Sequence, residues 1–294
     1  MAPTRELCLQ ITDDLKDYSK YIDNLHVLAV YGGASIEPQI RALKKGVQVI
    51  VATPGRLVDL MNRGVAKLNT VKNVVLDEAD EMLKMGFISD IRKVMALTPK
   101  DKQIALFSAT MPREIQNITW QFMQDAAEID VMPKEEDHPD IDQFIIECPE
   151  KDKLNAIVNI MEKESLRKVI VFCNTKTTTS KVGDMLTAKG LSAKVLHGDI
   201  GQGARNKVMD QYRADKFDVL VATDVVARGI DVDDIEAIFN YDIPKENELY
   251  LHRIGRTARA GKSGKAFSLV AYLDRPKMEE IIRYTKVNPV PYEI

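Results

Sequence analysis

The amino-acid sequence predicts an α/β fold with parallel sheets, arranged as two successive lobes. Three observations predict it. Short apolar runs rich in β-branched residues recur from end to end, most of them bounded by Gly, Pro, Asp or Asn, as buried parallel strands are. Longer amphipathic stretches alternate with these runs, the pattern of strand–helix units on a parallel sheet. Residues 132–140 (MPKEEDHPD) break the alternation with two prolines and four acidic residues, the composition of a linker. It divides the chain into 1–131 and 141–294, and 294 residues suit two domains of roughly 100–200 residues each.

In the first lobe the strand candidates are 25–31, 47–52, 71–76 and 103–107, with amphipathic helices expected at 5–20, 89–97 and 113–123. In the second lobe the strands are 169–173, 194–196, 219–222, 237–241 and 266–270, and the helices 152–164, 176–189, 201–214 and 275–284. Trp120 falls on a predicted helix and is expected in the core. Cys8, Cys148 and Cys173 lie far apart, which argues against a disulfide framework or a multi-cysteine zinc site; they read as small apolar fillers.

A chain 45% hydrophobic and 29% charged is not disordered throughout. No apolar run approaches the roughly 18 residues of a membrane span, and Met1–Gln10 lacks a signal-type apolar core. No membrane partner is expected; the cytoplasm is the expected compartment, with the nucleus the other. The net charge of −3 divides as −1 over 1–131, −3 over 132–140 and +1 over 141–294. No global basic surface advertises nucleic acid, so any such claim rests on motifs.

The chemistry-bearing run is Val74-Val75-Leu76-Asp77-Glu78-Ala79-Asp80. It sets two adjacent carboxylates at the carboxyl end of a predicted buried strand, where open α/β sheets bind ligands. An Asp there can hold Mg²⁺ and a Glu can orient or deprotonate a water; a solvated helix cap is the ordinary alternative. Asp77-Glu-Ala-Asp80 is also the motif that names the DEAD-box RNA helicases. Further blocks resemble that family in its order: Ala2-Pro-Thr-Arg-Glu-Leu7, Gly32-Gly33, Thr53-Pro-Gly-Arg56, Ser108-Ala-Thr110, Val169–Thr175, His197-Gly-Asp199 with Gln202 and Arg205, Ala222–Asp231, and His252-Arg-Ile-Gly-Arg-Thr-Ala-Arg259. The resemblance runs over about residues 2–285.

The resemblance implies two tandem RecA-like lobes and an RNA-dependent ATPase that separates short RNA duplexes. Its cofactors would be ATP and Mg²⁺, the metal on Asp77 through water. Asp77, Glu78, Arg256 and Arg259 would be catalytic, the two arginines reaching the γ-phosphate from the second lobe. Asp80, Ser108, Thr110 and His252 would couple the lobes, and Gly229 and Asp231 would contact the nucleotide. RNA would lie on Pro3, Thr4, Arg5, Gly32, Gly33, Thr53, Gly55 and Arg56 of the first lobe and Thr175, Arg205, Thr223, Asp224 and Arg228 of the second. These are backbone contacts, independent of base sequence. The three-residue spacing of Arg256 and Arg259 would put both on one face of a helix. The chain is expected to be monomeric.

The sequence departs from the family at its start. It contains no Gly-x-x-x-x-Gly-Lys-Thr/Ser phosphate loop and no adenine-recognition motif. Gly261-Lys262-Ser263 has the wrong spacing and lies in the arginine-rich block. The first lobe is therefore expected to be incomplete and the chain a truncated piece inactive as an ATPase. The strand of the phosphate loop is expected beside the Asp77 strand, whose ladder would be left partly unpaired. The rival reading is a non-hydrolysing RNA-binding or scaffold protein. Ala258 stands where the family usually has glycine.

Overall fold

Each strand among the described residues pairs in parallel, so the strand ends that carry motifs face the same rim of their sheet. The structure, a computed structural model, describes residues 1–131, 141–224, 232, 234–258 and 263–293. It divides into two units, Met1–Val131 and Met132–Ile294.

The first unit runs α1 (Arg5–Tyr18), β1 (Val27–Val30), α2 (Ile36–Lys45), β2 (Val49–Ala52), α3 (Pro54–Asn62), β3 (Asn73–Leu76), α4 (Ala79–Lys84), α5 (Ile88–Leu97), β4 (Gln103–Leu106) and α6 (Arg113–Phe122). Its strands form two separate pairs, β1–β2 and β3–β4. The N-terminal dipeptide lies between them. The Met1 amine donates to Val75 O at 2.6 Å and Asp77 N–H donates to Met1 O at 3.0 Å, while Ala2 N–H donates to Ala52 O at 2.9 Å. That is the bonding of a parallel bridge, one residue long. The Met1 side chain touches the apolar clusters of both pairs, around Leu57 and Leu60 on one side and Leu76 and Ile91 on the other. The Asp77 strand thus has β4 along one edge and Met1 at the carboxyl end of the other, and Val75 is 47% exposed. Trp120 is a correction: it is 70% exposed. The buried face of α6 is set by Ile115 and Ile118, and a residue two places past Ile118 points away from it.

The second unit runs β5 (Ile141–Glu147), α7 (Lys153–Lys163), β6 (Val169–Cys173), α8 (Lys176–Ala188), β7 (Ala193–Leu196), α9 (Gln202–Arg213), β8 (Val219–Thr223), β9 (Ala237–Asn240), α10 (Asn247–Ile254), β10 (Gly264–Val270), α11 (Arg275–Thr285) and β11 (Val290–Pro291). Its strands make one seven-stranded sheet, β11-β5-β10-β9-β6-β8-β7. The central strands are apolar on both faces, so alternate residues serve two cores. Val169, Val171 and Cys173 of β6 pack with α7 and α8, whereas Ile170 and Phe172 pack with Met209 and Tyr212 of α9. Phe144, Phe267 and Phe239, paired in register across β5, β10 and β9, stack at centroid spacings of 5.1 and 5.0 Å. Helix α8 comes so close to the sheet at Gly183 that a Cβ there would sit 2.2 Å from Val195 Cγ1.

Candidate functional site

In the first unit the Asp-Glu pair sits where β3 ends. Asp77 Oδ1 accepts the Glu78 N–H at 3.1 Å. Glu78 has φ +50° and ψ +54°, the left-handed region that a non-glycine residue enters at a cost. It is the residue before α4, so this left-handed turn sets the direction in which the half-buried Glu78 side chain leaves the backbone. Asp80, 1% exposed, closes the arrangement. Its N–H donates to Ser108 Oγ at 3.1 Å, and its Oδ2 accepts from Thr110 N–H at 3.1 Å and Thr110 Oγ1 at 2.9 Å. Ser108 Oγ in turn donates to Thr110 O at 2.6 Å. Asp80, Ser108 and Thr110, separated by about thirty residues in the chain, are therefore one knot that ties the ends of β3 and β4 together.

The described residues contain no cluster of three metal-ligating side chains. Mg²⁺ needs none, since it keeps several waters and takes one or two carboxylates with its phosphates; Asp77 fits that role. A triphosphate does not fit as well, because no residue of this sequence forms the loop that would cradle it.

The first-unit phosphate candidates gather on the loop after β1. Gly33 has φ +79°, and a Cβ on it would lie 2.1 Å from Arg5 Nη1, so the Arg5 guanidinium rests directly on the glycine backbone. Arg56 Nη2 donates to Ala34 O at 3.2 Å, and its Nη1 is buried with no hydrogen-bond partner among the described residues. The loop is clamped from below by buried Gln39, which accepts from Tyr31 N–H and donates to Tyr31 O and Ser35 O. Burial pushes the Tyr31 phenol up, and Arg5 and Arg56 beside it pull the other way. Sequence reasoning passed over Gln39 and Tyr31; a polar residue on the buried side of an amphipathic helix was the available signal for Gln39. Pro3, Thr4 and Thr53 are buried. The Thr4 hydroxyl caps α1 by accepting from Leu7 N–H at 3.2 Å, worth about 1 kcal/mol. Gly32, Gly55 and Arg56 are half-buried and Gly33 exposed.

In the second unit the candidates line the ends of β6 and β8 and the start of α9. Thr175 is exposed and caps α8, accepting from Thr178 N–H at 3.1 Å. Arg205 and Gln202 are buried, and Gln202 Oε1 has no hydrogen-bond partner among the described residues. Thr223 ends β8 half-buried. Asp224 presents both carboxylate oxygens to Arg253. Arg256 corrects an expectation: α10 stops at Ile254 with Gly255 as its cap, so Arg256 stands in the turn beyond the helix, where its Nε donates to His252 O at 3.2 Å. Ala258 has φ +58°, the conformation in which glycine is at ease. Arg228, Gly229, Asp231 and Arg259, like 132–140, lie outside the described residues.

Residues 1–118 match the family described as DEAD/DEAH box helicase, and residues 152–261 match the helicase conserved C-terminal domain. The chain belongs to the DEAD/DEAH box helicase family. It is 42% identical over 286 residues to the DEAD-box ATP-dependent RNA helicase CshA of Geobacillus kaustophilus, covering 97% of this chain and 61% of that protein. It is 44% identical to the ATP-dependent RNA helicase CshA of Listeria monocytogenes, covering 100% of this chain and 56% of that protein. Among solved structures it is similar to S. cerevisiae Dbp5 L327V bound to RNA and ADP BeF3, with a TM-score of 0.87 and 29% identity over 99% of this chain and 76% of that one. The α/β lobes with parallel sheets are the RecA-like lobes of DEAD-box helicases. The chain spans between about half and three-fifths of the length of the curated relatives it matches.

Proposed function

We propose that this DEAD-box chain is the RNA-contacting, two-lobed core of an ATP-dependent RNA helicase that separates short duplexes. The observation that carries the proposal is the Asp80–Ser108–Thr110 knot directly behind Asp77 and Glu78, since a scaffold has no chemical need for a carboxylate pair fixed so closely. Asp77 would hold Mg²⁺ through water, and a bound Mg²⁺ neutralises phosphate charge. Glu78 would orient a water, with Arg256, and Arg259 by its place in the motif, stabilising charge on the phosphate. Gly229 and Asp231 are proposed nucleotide contacts, and His252 a coupling residue. Arg5, the Gly33 backbone and Arg56 offer phosphate a cationic floor that reads no base edge, and the exposed start of α8 at Thr175 offers it a helix N-terminus in the second unit. We place the protein in the cytoplasm as a monomer; no helix among the described residues is long and apolar enough to cross a membrane.

The missing phosphate loop favours a second reading for these 294 residues taken alone: RNA binding without hydrolysis. Both are tested by measuring anisotropy of a labelled single-stranded RNA and phosphate release from ATP with this chain. Binding that falls with salt, varies little with RNA sequence and comes without turnover is the expected result. No RNA binding would overturn the helicase reading. RNA-stimulated turnover lost in Glu78→Gln and Arg256→Ala would show instead that another group holds the triphosphate and that the chain is itself an ATPase.

A further inference from the structure

Arg253 has none of the roles that the motifs imply, yet among the described residues of the second unit it makes the most side-chain hydrogen bonds. It is 1% exposed. A guanidinium has five N–H donors, and here all five are used. Nε donates to Asp224 Oδ1 at 2.6 Å and Nη2 to Asp224 Oδ2 at 2.8 Å, a two-pronged grip. Nη2 also donates to Asn174 Oδ1 at 2.8 Å, and Nη1 donates to Asn240 Oδ1 at 3.1 Å and Asp242 O at 2.6 Å. The group lies over the Phe172 ring, 5.1 Å from its centroid.

The acceptors are themselves fixed. Asn174 N–H donates to Asp242 Oδ2 at 2.8 Å and its Nδ2 to Ile243 O at 2.8 Å, while Asn240 Nδ2 donates to Ser268 Oγ at 3.1 Å. One planar cation therefore joins the carboxyl ends of β6, β8 and β9 to helix α10. Two of those ends carry proposed RNA contacts, Thr175 next to Asn174 and Thr223 next to Asp224. Helix α10 leads into Arg256 three residues on.

We infer that Arg253 is a positioning residue that transmits RNA occupancy at the β6 and β8 ends to Arg256. The inference rests on the RNA-binding reading given above. A rigid fork gripping Asp224 cannot let that strand end shift without carrying α10 with it. Lysine keeps the charge but is a point donor on a flexible stem, and would break the mechanical link while leaving a cation in place.

The test is NMR titration of the isotope-labelled 294-residue chain with a ten-nucleotide uridine RNA. In the parent protein, RNA is expected to move the amide signals of Thr175 and Asp224 and also those of Arg256 and Thr257. In Arg253→Lys the shifts at Thr175 and Asp224 persist and those at Arg256 and Thr257 fall about fivefold. Equal shifts at Arg256 in parent and variant would overturn the inference. Should Arg253→Lys lose its dispersed spectrum, Asp224→Asn removes the carboxylate that the fork grips; with the Thr175 response retained, a roughly twofold smaller response at Arg256 supports the link and an unchanged one overturns it. A parent protein whose spectrum RNA leaves untouched would refute the RNA-binding reading itself, a result distinct from either.

Discussion

The two units share strand polarity and helix placement but differ in how their sheets are joined. In the second, seven strands form one uninterrupted ladder, and the residues at its centre serve cores on both faces. In the first, two pairs of strands are linked by the hydrogen bonds of Met1 and Ala2 and by side chains packed around Met1. A ladder makes opening of one strand cost the pairing of its neighbours, whereas separate pairs can open one at a time. The same architecture therefore yields one cooperative block and one that is held chiefly by its helices.

Hydrogen exchange would break or uphold this contrast most sharply. Amides of Val171, Val221 and Phe239 are expected to exchange at least about a thousandfold more slowly than those of Val75 and Ala105, which is about 4 kcal/mol of extra opening free energy. Equal protection would mean that Met1 and the helices join the first unit as firmly as a full strand does. A smaller effect comes from Ala258, whose left-handed backbone burdens the otherwise well-joined second unit. Ala258→Gly is expected to stabilise that unit by about 1 kcal/mol, read as a rise in melting temperature of about 2–4 °C; a fall would show that the strain is absent.

The smallest effect lies at the sheet's edge. Glu164 is held below the ordinary carboxylate range, first by the hydrogen bond from Lys265 and then by that from Tyr292 next to β11. Because its folded value is depressed, the stability it contributes is present at neutral pH and is lost as the pH falls below about 4.5. Glu164→Gln should flatten that acid limb of the melting curve; an unaltered limb would assign it to other carboxylates.

Much of this molecule is legible in its sequence wherever the signal is local. The apolar runs that became β2, β6, β8 and β9 read as strands because they are buried on both faces, and that of β3 because it is apolar throughout although Val75 is exposed. Strand β5 (Ile141–Glu147) did not, because Asp142 and Gln143 interrupt its hydrophobicity near the sheet edge. Helix α2 was hidden by Pro38, which its first turn tolerates. Asp77, Glu78, Asp80, Ser108 and Thr110 were legible as motifs, and the structure gathers them at one rim. The Arg253 network was not, since its partners Asn174, Asp224, Asn240 and Asp242 come from three strand ends and no spacing along the chain announces them.

Glu78 shows what a backbone can do for a side chain. Its carboxylate is aimed by a left-handed turn, a setting that does not depend on its charge, so a glutamine there would be pointed the same way. The residue that would rest in that turn without cost is glycine, and glycine has no carboxylate to aim. At this position, relaxing the chain and disarming the site are a single edit.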